Sequence, residues 1–324
     1  MIYHAVNYTT TRILPHMLAV DAGRRLSILV YHRVLPHTDA LRPGIPDVAT
    51  FNWQMELLAR HFQPLSLDEA LLRLEQDNLP ARAVCVTFDD GYADNLIHAL
   101  PVLQRWRIPA TVYVSSGFLD GGRMWNDSVI DSFSHCTQGT VSLLDLGFES
   151  LDISSVEKRR QACYDVIARI KHLPPEQRLE KVRSIWSALG SPSLADDLML
   201  TRQQLQELSA AGVEIGNHTV SHPVLSAVDD DTVLQELQGS SQDLEAVIQK
   251  AVRHFAYPNG IPEQDFEARH RQMIKELGFV SAVTTQWGVS GAMTDRWSLP
   301  RFTPWDQTPQ RFAARLIMNM KSLR

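Results

Sequence analysis

Asp89 and Asp90 are adjacent carboxylates at the end of an apolar, β-branched run, Val84-Cys85-Val86-Thr87-Phe88, and Gly91 follows them directly. The run reads as a buried strand, with the acids at its C-terminal mouth. Asp-Asp-Gly is also ordinary turn chemistry, so the stretch alone decides nothing. Two buried anions this close do not both stay charged unless positive charge lies beside them, and a metal ion is the usual source. Downstream, His218-Thr219-Val220-Ser221-His222-Pro223 supplies two histidines, four positions apart, after a second apolar run, Val213-Glu214-Ile215-Gly216-Asn217. On a helical turn that spacing puts both imidazoles on one face, where they can share one ion. One carboxylate and two histidines leave coordination positions open, the pattern of a catalytic rather than a structural centre.

Thr87-Phe88-Asp89-Asp90-Gly91 followed by His218-Thr219-x-x-His222-Pro223 resembles the polysaccharide deacetylases with the NodB-homology domain, carbohydrate esterase family 4. The resemblance spans roughly residues 26–305. It implies that Asp89 is the general base and that Asp90, His218 and His222 hold a divalent metal. Zinc is the first expectation; cobalt, nickel, iron(II) and manganese also suit this ligand set. The implied reaction is hydrolysis of an N-acetyl group on an amino sugar of a polysaccharide, oligosaccharide or lipid-linked glycan, releasing acetate. That makes the chain a hydrolase of carbon–nitrogen bonds other than peptide bonds. The implied fold is α/β, a distorted (β/α) barrel with about seven parallel strands.

Amide hydrolysis at a metal needs a base for water, stabilisation of the oxyanion and an acid for the departing amine. Histidine suits the acid. The family's late Leu-x-His motif has no counterpart in the C-terminal third of this chain. Tyr31-His32, at another strand end, resembles the poly-N-acetylglucosamine deacetylase branch, where that motif moves to the N-terminus. His32 is therefore the expected general acid. The family's Arg-x-Pro-aromatic motif is replaced here by Phe255-Ala256-Tyr257-Pro258, which lacks the arginine. Arg301 is the candidate replacement, because a planar fork suits a carboxylate; a surface position is the alternative. Tyr257 is expected to help position the acetyl group. Asp295-Arg296-Trp297 resembles the fourth motif at tighter spacing. It casts Asp295 as the partner of the acid histidine and Trp297 as a pocket wall. Trp125 is a candidate for the sugar groove, with ordinary packing open for each tryptophan.

Strands alternating with helices should carry these residues, which argues for parallel strands and right-handed crossovers. Strand ends at one mouth of such a barrel are where its chemistry sits. Residues 1–25 read as a lead-in and 26–305 as the barrel, with a helical insertion over about 120–200. Within the insertion, Val156–His172 and Pro175–Leu189 have helical periodicity. Residues 306–324 read as a C-terminal helix. Further helices are expected at Tyr92–Trp106, Asp231–Val252 and Pro262–Leu277, and Thr201-Arg202-Gln203-Gln204 should cap one more.

The chain has 324 residues, 44% apolar, with 31 basic and 37 acidic side chains for a net charge of −6. Nothing in that balance is a footprint for nucleic acid or a membrane surface. No stretch is long and apolar enough to span a bilayer, and the N-terminus does not read as a signal peptide. Three cysteines, Cys85, Cys136 and Cys163, are an odd number, and one falls inside a core strand. A reducing, cytoplasmic setting is expected. Two other functions stay open: the same metal site acting on a non-sugar amide such as a cyclic imide, or a non-catalytic barrel that binds glycans.

Overall fold

A computed structural model describes residues 24–321 of the chain. Of the lead-in expected over 1–25, only Arg24 and Arg25 fall inside that range. In chain order the first strands are β1 (Leu26–Tyr31), β2 (Gln63–Pro64), β3 (Ala83–Phe88) and β4 (Ala110–Val114). A hairpin follows, β5 (Thr140–Leu143) and β6 (Phe148–Asp152). The last four are β7 (Glu214–Asn217), β8 (His254–Ala256), β9 (Ser281–Trp287) and β10 (Leu299–Phe302).

Strands pair in the order β1-β10-β9-β8-β7-β4-β3, and β3 returns to β1. Every one of these pairings is parallel, so seven strands close a barrel. β2 adds only a short pairing at the start of β3. Strands in such a barrel are covered on both faces, which is why Leu26–Tyr31 and Ala83–Phe88 are buried at every position. Alternate residues divide between two layers. Ile28, Cys85, Tyr113, Ala256, Val283 and Leu299 pack together in the interior. Leu29, Val84, Val86, Phe88, Phe255 and Phe302 belong to the layer beneath the helices. Gly216 leaves room for this interior, since a Cβ there would stand 2.3 Å from the Tyr113 ring.

The helices are α1 (Val48–His61), α2 (Leu67–Glu75) and α3 (Leu100–Trp106), then α4 (Trp125–His135), α5 (Val156–Ile170) and α6 (Pro175–Ala188). After them come α7 (Arg202–Ala210), α8 (Asp230–Ile248), α9 (Ala268–Glu276) and α10 (Pro309–Lys321). Thr201 and Gln204 form the expected reciprocal cap of α7. The apolar stripe of α10, Phe312, Leu316 and Met320, is buried in the layer beneath the helices. Two expected helices are shorter. Residues Asn95–Ala99 form a π-turn ahead of α3. α9 starts only at Ala268, because Pro262 and Phe266 bridge to each other and Glu267 supplies the cap.

The insertion contains the two expected helices, α5 and α6, together with α4 and the β5–β6 hairpin, which periodicity did not reveal. It has its own core, including Val129, Phe133, Cys163, Val166 and Ile185. Charged pairs join it to the barrel: Arg42 reaches Asp127 at 3.0 Å and Asp131 at 2.6 Å. Tyr92 donates to the other Asp127 oxygen at 2.6 Å.

Candidate active site

Parallel register brings the chemistry to one mouth. Tyr31 pairs with Phe88, so the next residues, His32 and Asp89, leave adjacent strands side by side. Val114 pairs with Asn217, which starts the His218 loop level with the end of β4. The β3 chain then turns sharply: Asp90 has φ +77° and Gly91 φ +86°. A Cβ on Gly91 would stand 2.9 Å from Val114 Cγ1, so the turn suits glycine on two counts.

Asp89 continues the inward-facing set of β3, and Arg301 rises to it from inside β10. Arg301 Nη1 donates to Asp89 Oδ1 at 2.7 Å and Nη2 to Oδ2 at 2.6 Å, a bidentate pair. The guanidinium is itself fixed, with Nε donating to the Thr284 carbonyl at 2.7 Å. Both side chains are almost wholly buried. Burial penalises the Asp89 charge; Arg301, with help from His218 and His32, overcomes that penalty and holds its pKa below the ordinary carboxylate value.

Asp90, His218 and His222 converge one residue away. Nε2 of His218 lies 3.4 Å and Nε2 of His222 3.5 Å from the same Asp90 oxygen, Oδ1. That oxygen is buried and accepts no hydrogen bond. His218 Nδ1 lies 2.7 Å from the Ala256 carbonyl, which can only accept, so Nδ1 carries a proton and Nε2 is the nitrogen turned to Asp90. Burial lowers the His218 pKa, but Asp90 and Asp89 outweigh it and the net shift is upward; a cation held at Nε2 would take the place of the second proton. Burial, which outweighs the pull of Asp90, pushes His222 down to about 3, so its ring is neutral near pH 7. Nε2 of both histidines and the orphaned Asp90 Oδ1 thus face one point. This donor set fits a divalent cation.

Asp89, Asp90, His32, His218 and His222 all line one cavity of about 240 Å³. Trp125, Asn126, Ile167 and Lys171 of the insertion form part of its wall, with Asn259 and Thr285 from the loops after β8 and within β9.

A family profile described as polysaccharide deacetylase matches residues 76–150 and 154–282, well over half the chain. The chain belongs to the polysaccharide deacetylase family. YxkH of Bacillus subtilis strain 168, named for the same family, is 36% identical over 98 residues. That match spans 30% of this chain and only 34% of YxkH. Among solved structures, the Streptococcus pyogenes deacetylase PplD in complex with acetate superposes with a TM-score of 0.60 at 20% identity. The match covers 92% of this chain and 99% of PplD. IcaB from Ammonifex degensii gives 0.56 at 18% identity, covering 93% and 98%. The shared feature at this identity is the barrel fold.

In this polysaccharide deacetylase family member, three sequence-based site expectations part from the geometry. Tyr257 does not reach the cavity. It is buried in the outer layer, stacked on Phe266 at 3.6 Å, and its hydroxyl donates to the Trp297 carbonyl. Trp297 lies ahead of β10, and its indole donates to the Phe279 carbonyl ahead of β9. Both carbonyls belong to the strand starts, the end of the barrel away from Asp89. Asp295 is exposed in the same loop and accepts from the Trp297 backbone N–H. Motif likeness in sequence thus carried Asp295 and Trp297 to the wrong end of a strand. The helical turn expected for His218–His222 is also absent. The segment is irregular, with φ +68° at Thr219 and +54° at His222. Asn217 accepts from the Thr219 backbone, and Glu236 of α8 accepts from Val220, Ser221 and the Ser221 hydroxyl. Lys171, Ile167 and Asn259 escaped the sequence reading because nothing in their own neighbourhoods marks the fold-back that brings them here.

Proposed function

We propose that this chain hydrolyses the N-acetyl group of an amino sugar within a polysaccharide, oligosaccharide or lipid-linked glycan, using a divalent cation held by Asp90, His218 and His222. The observation that carries this reading is the pairing of two unlike carboxylates: Asp90 turned to the histidines, Asp89 turned away to Arg301. When bound, the cation supplies a Lewis acid that makes water easier to deprotonate and polarises an acyl oxygen. Asp89 is the base that takes the proton from water. Its fork with Arg301 fixes the orientation of the carboxylate and keeps it ionised at neutral pH. His32, exposed on the same mouth, gives a proton to the amine nitrogen as the carbon–nitrogen bond breaks. Trp125 offers an aromatic face to the sugar.

Zinc is our first choice of metal on ligand chemistry. All three cysteines are free and buried, in keeping with the reducing, cytoplasmic setting we propose. Among the described residues no helix is long and apolar enough to cross a membrane. The test is acetate release from chitooligosaccharides by purified protein, with and without a chelator and added zinc. Chelator-sensitive release is expected. Turnover confined to small cyclic amides would replace the sugar assignment.

A further inference from the structure

His32 is held differently from the other residues of the site. Asp89 is gripped by Arg301, and His218 by the Ala256 carbonyl. The His32 imidazole is exposed and, among the described residues, makes no hydrogen bond. Where it stands therefore depends on its backbone. That backbone leaves the barrel after Tyr31, which still pairs with Phe88.

Three hydrogen bonds hold residues 32–34, and all three come from two consecutive side chains. Asn95 Nδ2 donates to the His32 carbonyl at 2.9 Å. Asp94 Oδ1 accepts from the Val34 backbone N–H at 3.1 Å, and Oδ2 from Arg33 Nε at 2.8 Å. Asp94 is 7% exposed and Asn95 1%. Asn95 Nδ2 also lies 3.3 Å from Asp94 Oδ1, so two acceptors fix the orientation of the amide. Its Oδ1 is left buried without a partner.

These two residues open the π-turn ahead of α3. Pro101 has no N–H, and in a regular helix its ring would meet the Ile97 carbonyl, so the chain widens before it and the Leu100 N–H bonds to Asn95. An aspartate at the start of a helical turn ordinarily caps it. Asp94 makes no such bond and turns to residues 33 and 34 instead. A counter-ion role for Arg33 accounts for one Asp94 oxygen. It gives no reason for the Asn95 bond to His32, which strands a buried oxygen.

We propose that Asn95, supported by Asp94, is a positioning residue that sets where the His32 imidazole stands relative to the departing amine nitrogen. The proposal rests on the deacetylase reading and extends it from the proton donor to what places that donor.

The experiment compares acetate release from chitotetraose with hydrolysis of 4-nitrophenyl acetate by the zinc-loaded protein. The phenolate of the ester leaves without a proton, whereas the amine requires one. Asn95→Leu matches the side chain in shape and removes the unpartnered oxygen, so it should fold. It should lower kcat on chitotetraose about tenfold relative to the ester, with KM within about twofold and zinc content unchanged. In a His32→Ala background, Asn95→Leu should cost nothing further. An equal loss on both substrates, or a further tenfold loss in the His32→Ala background, overturns the proposal. In parallel, proton NMR of protein with isotope-labelled histidine reads the His32 ring without any substrate, its signal assigned by its absence in His32→Ala. That signal should shift or broaden in Asn95→Leu, and an unchanged signal overturns the proposal whatever the enzyme hydrolyses. A signal that depends on Asn95, without acetate release from chitotetraose by wild type, keeps the positioning of His32 and removes the deacetylase reading.

Discussion

Asp89 and Arg301 have opposite demands on them. A buried carboxylate needs the guanidinium in order to stay charged, yet each hydrogen bond it accepts makes it a weaker base. The outcome is a base ionised across the neutral range. Arg301→Met should therefore raise the Asp89 pKa and move the acidic limb of the kcat/KM profile to higher pH, besides lowering turnover. It should also destabilise the fold by about 3–5 kcal/mol, because it strands a buried charge. Linkage gives the sign in the wild type. The Asp89 pKa is depressed in the folded state, so its contribution is full above the unfolded value near pH 3.9 and is lost as pH falls toward the folded one. Asp89, Asp90 and the two histidines were legible in sequence because adjacent acids after a strand and paired histidines are locally unusual. Arg301 was legible only as a choice between surface and site, since Leu299-Pro300-Arg301-Phe302 carries no sign of its own burial. The inward alternation of β10 against β1 decides it.

At the scale of elements, the metal-facing histidines depend on a loop that is built from outside itself. The spacing of His218 and His222 suggested a helical turn, but Asn217 and Glu236 hold a different path. Glu236 lies on α8, and its part in the loop has no local signature in the sequence. Glu236→Gln keeps the size of the side chain and removes the charged acceptor of two backbone N–H groups. It should lower metal affinity about 10–100-fold while leaving the melting transition cooperative, because it acts on the support of His222 and not on the core. Titration of the metal-free variant with zinc reads this directly. Wild-type affinity in Glu236→Gln would mean that the loop holds its path unaided.

The whole molecule couples two cores, the barrel and the insertion, through charged contacts at one mouth. Asp127 is 2% exposed and serves Arg42, Arg33 and Tyr92 at once. Asp127→Ala should cost about 1–3 kcal/mol, because the buried Tyr92 hydroxyl loses its acceptor and Arg33 and Arg42 each lose one of their carboxylates, while Asp94, Asp39 and Asp131 still pair the two cations. Hydrogen exchange should then quicken in α4 to α6 before it does in β3 or β7. The other end of the barrel is closed by a different device. His254 is wholly buried, with Nε2 3.1 Å from both Asp68 and Glu214, and Arg253 also binds Asp68. An imidazolium satisfies both acids. Burial lowers the His254 pKa, and the hydrogen bonds to Asp68 and Glu214 outweigh it, so the net shift is upward. This clamp contributes fully below the unfolded value near pH 6.5 and is lost as pH rises through the raised folded value. Melting temperature should fall over that window in wild type, and the His254-dependent limb should be missing in His254→Asn. Strand–helix alternation made the barrel legible from sequence. The insertion's fold-back was not, because α5 and α6 read as ordinary amphipathic helices, α4 was not read as a helix, and the contacts of Arg42 with Asp127 and Asp131 that tie α4 to the barrel have no local signature.

The most direct test is the zinc stoichiometry of purified wild type, Asp89→Asn and His218→Ala, measured on the same samples as acetate release. One ion per chain is expected in wild type and in Asp89→Asn, with acetate released only by wild type, and no tightly held ion in His218→Ala. Full activity in Asp89→Asn, or an undiminished ion in His218→Ala, would contradict a cation gripped by Asp90 and the two histidines beside an unliganded base.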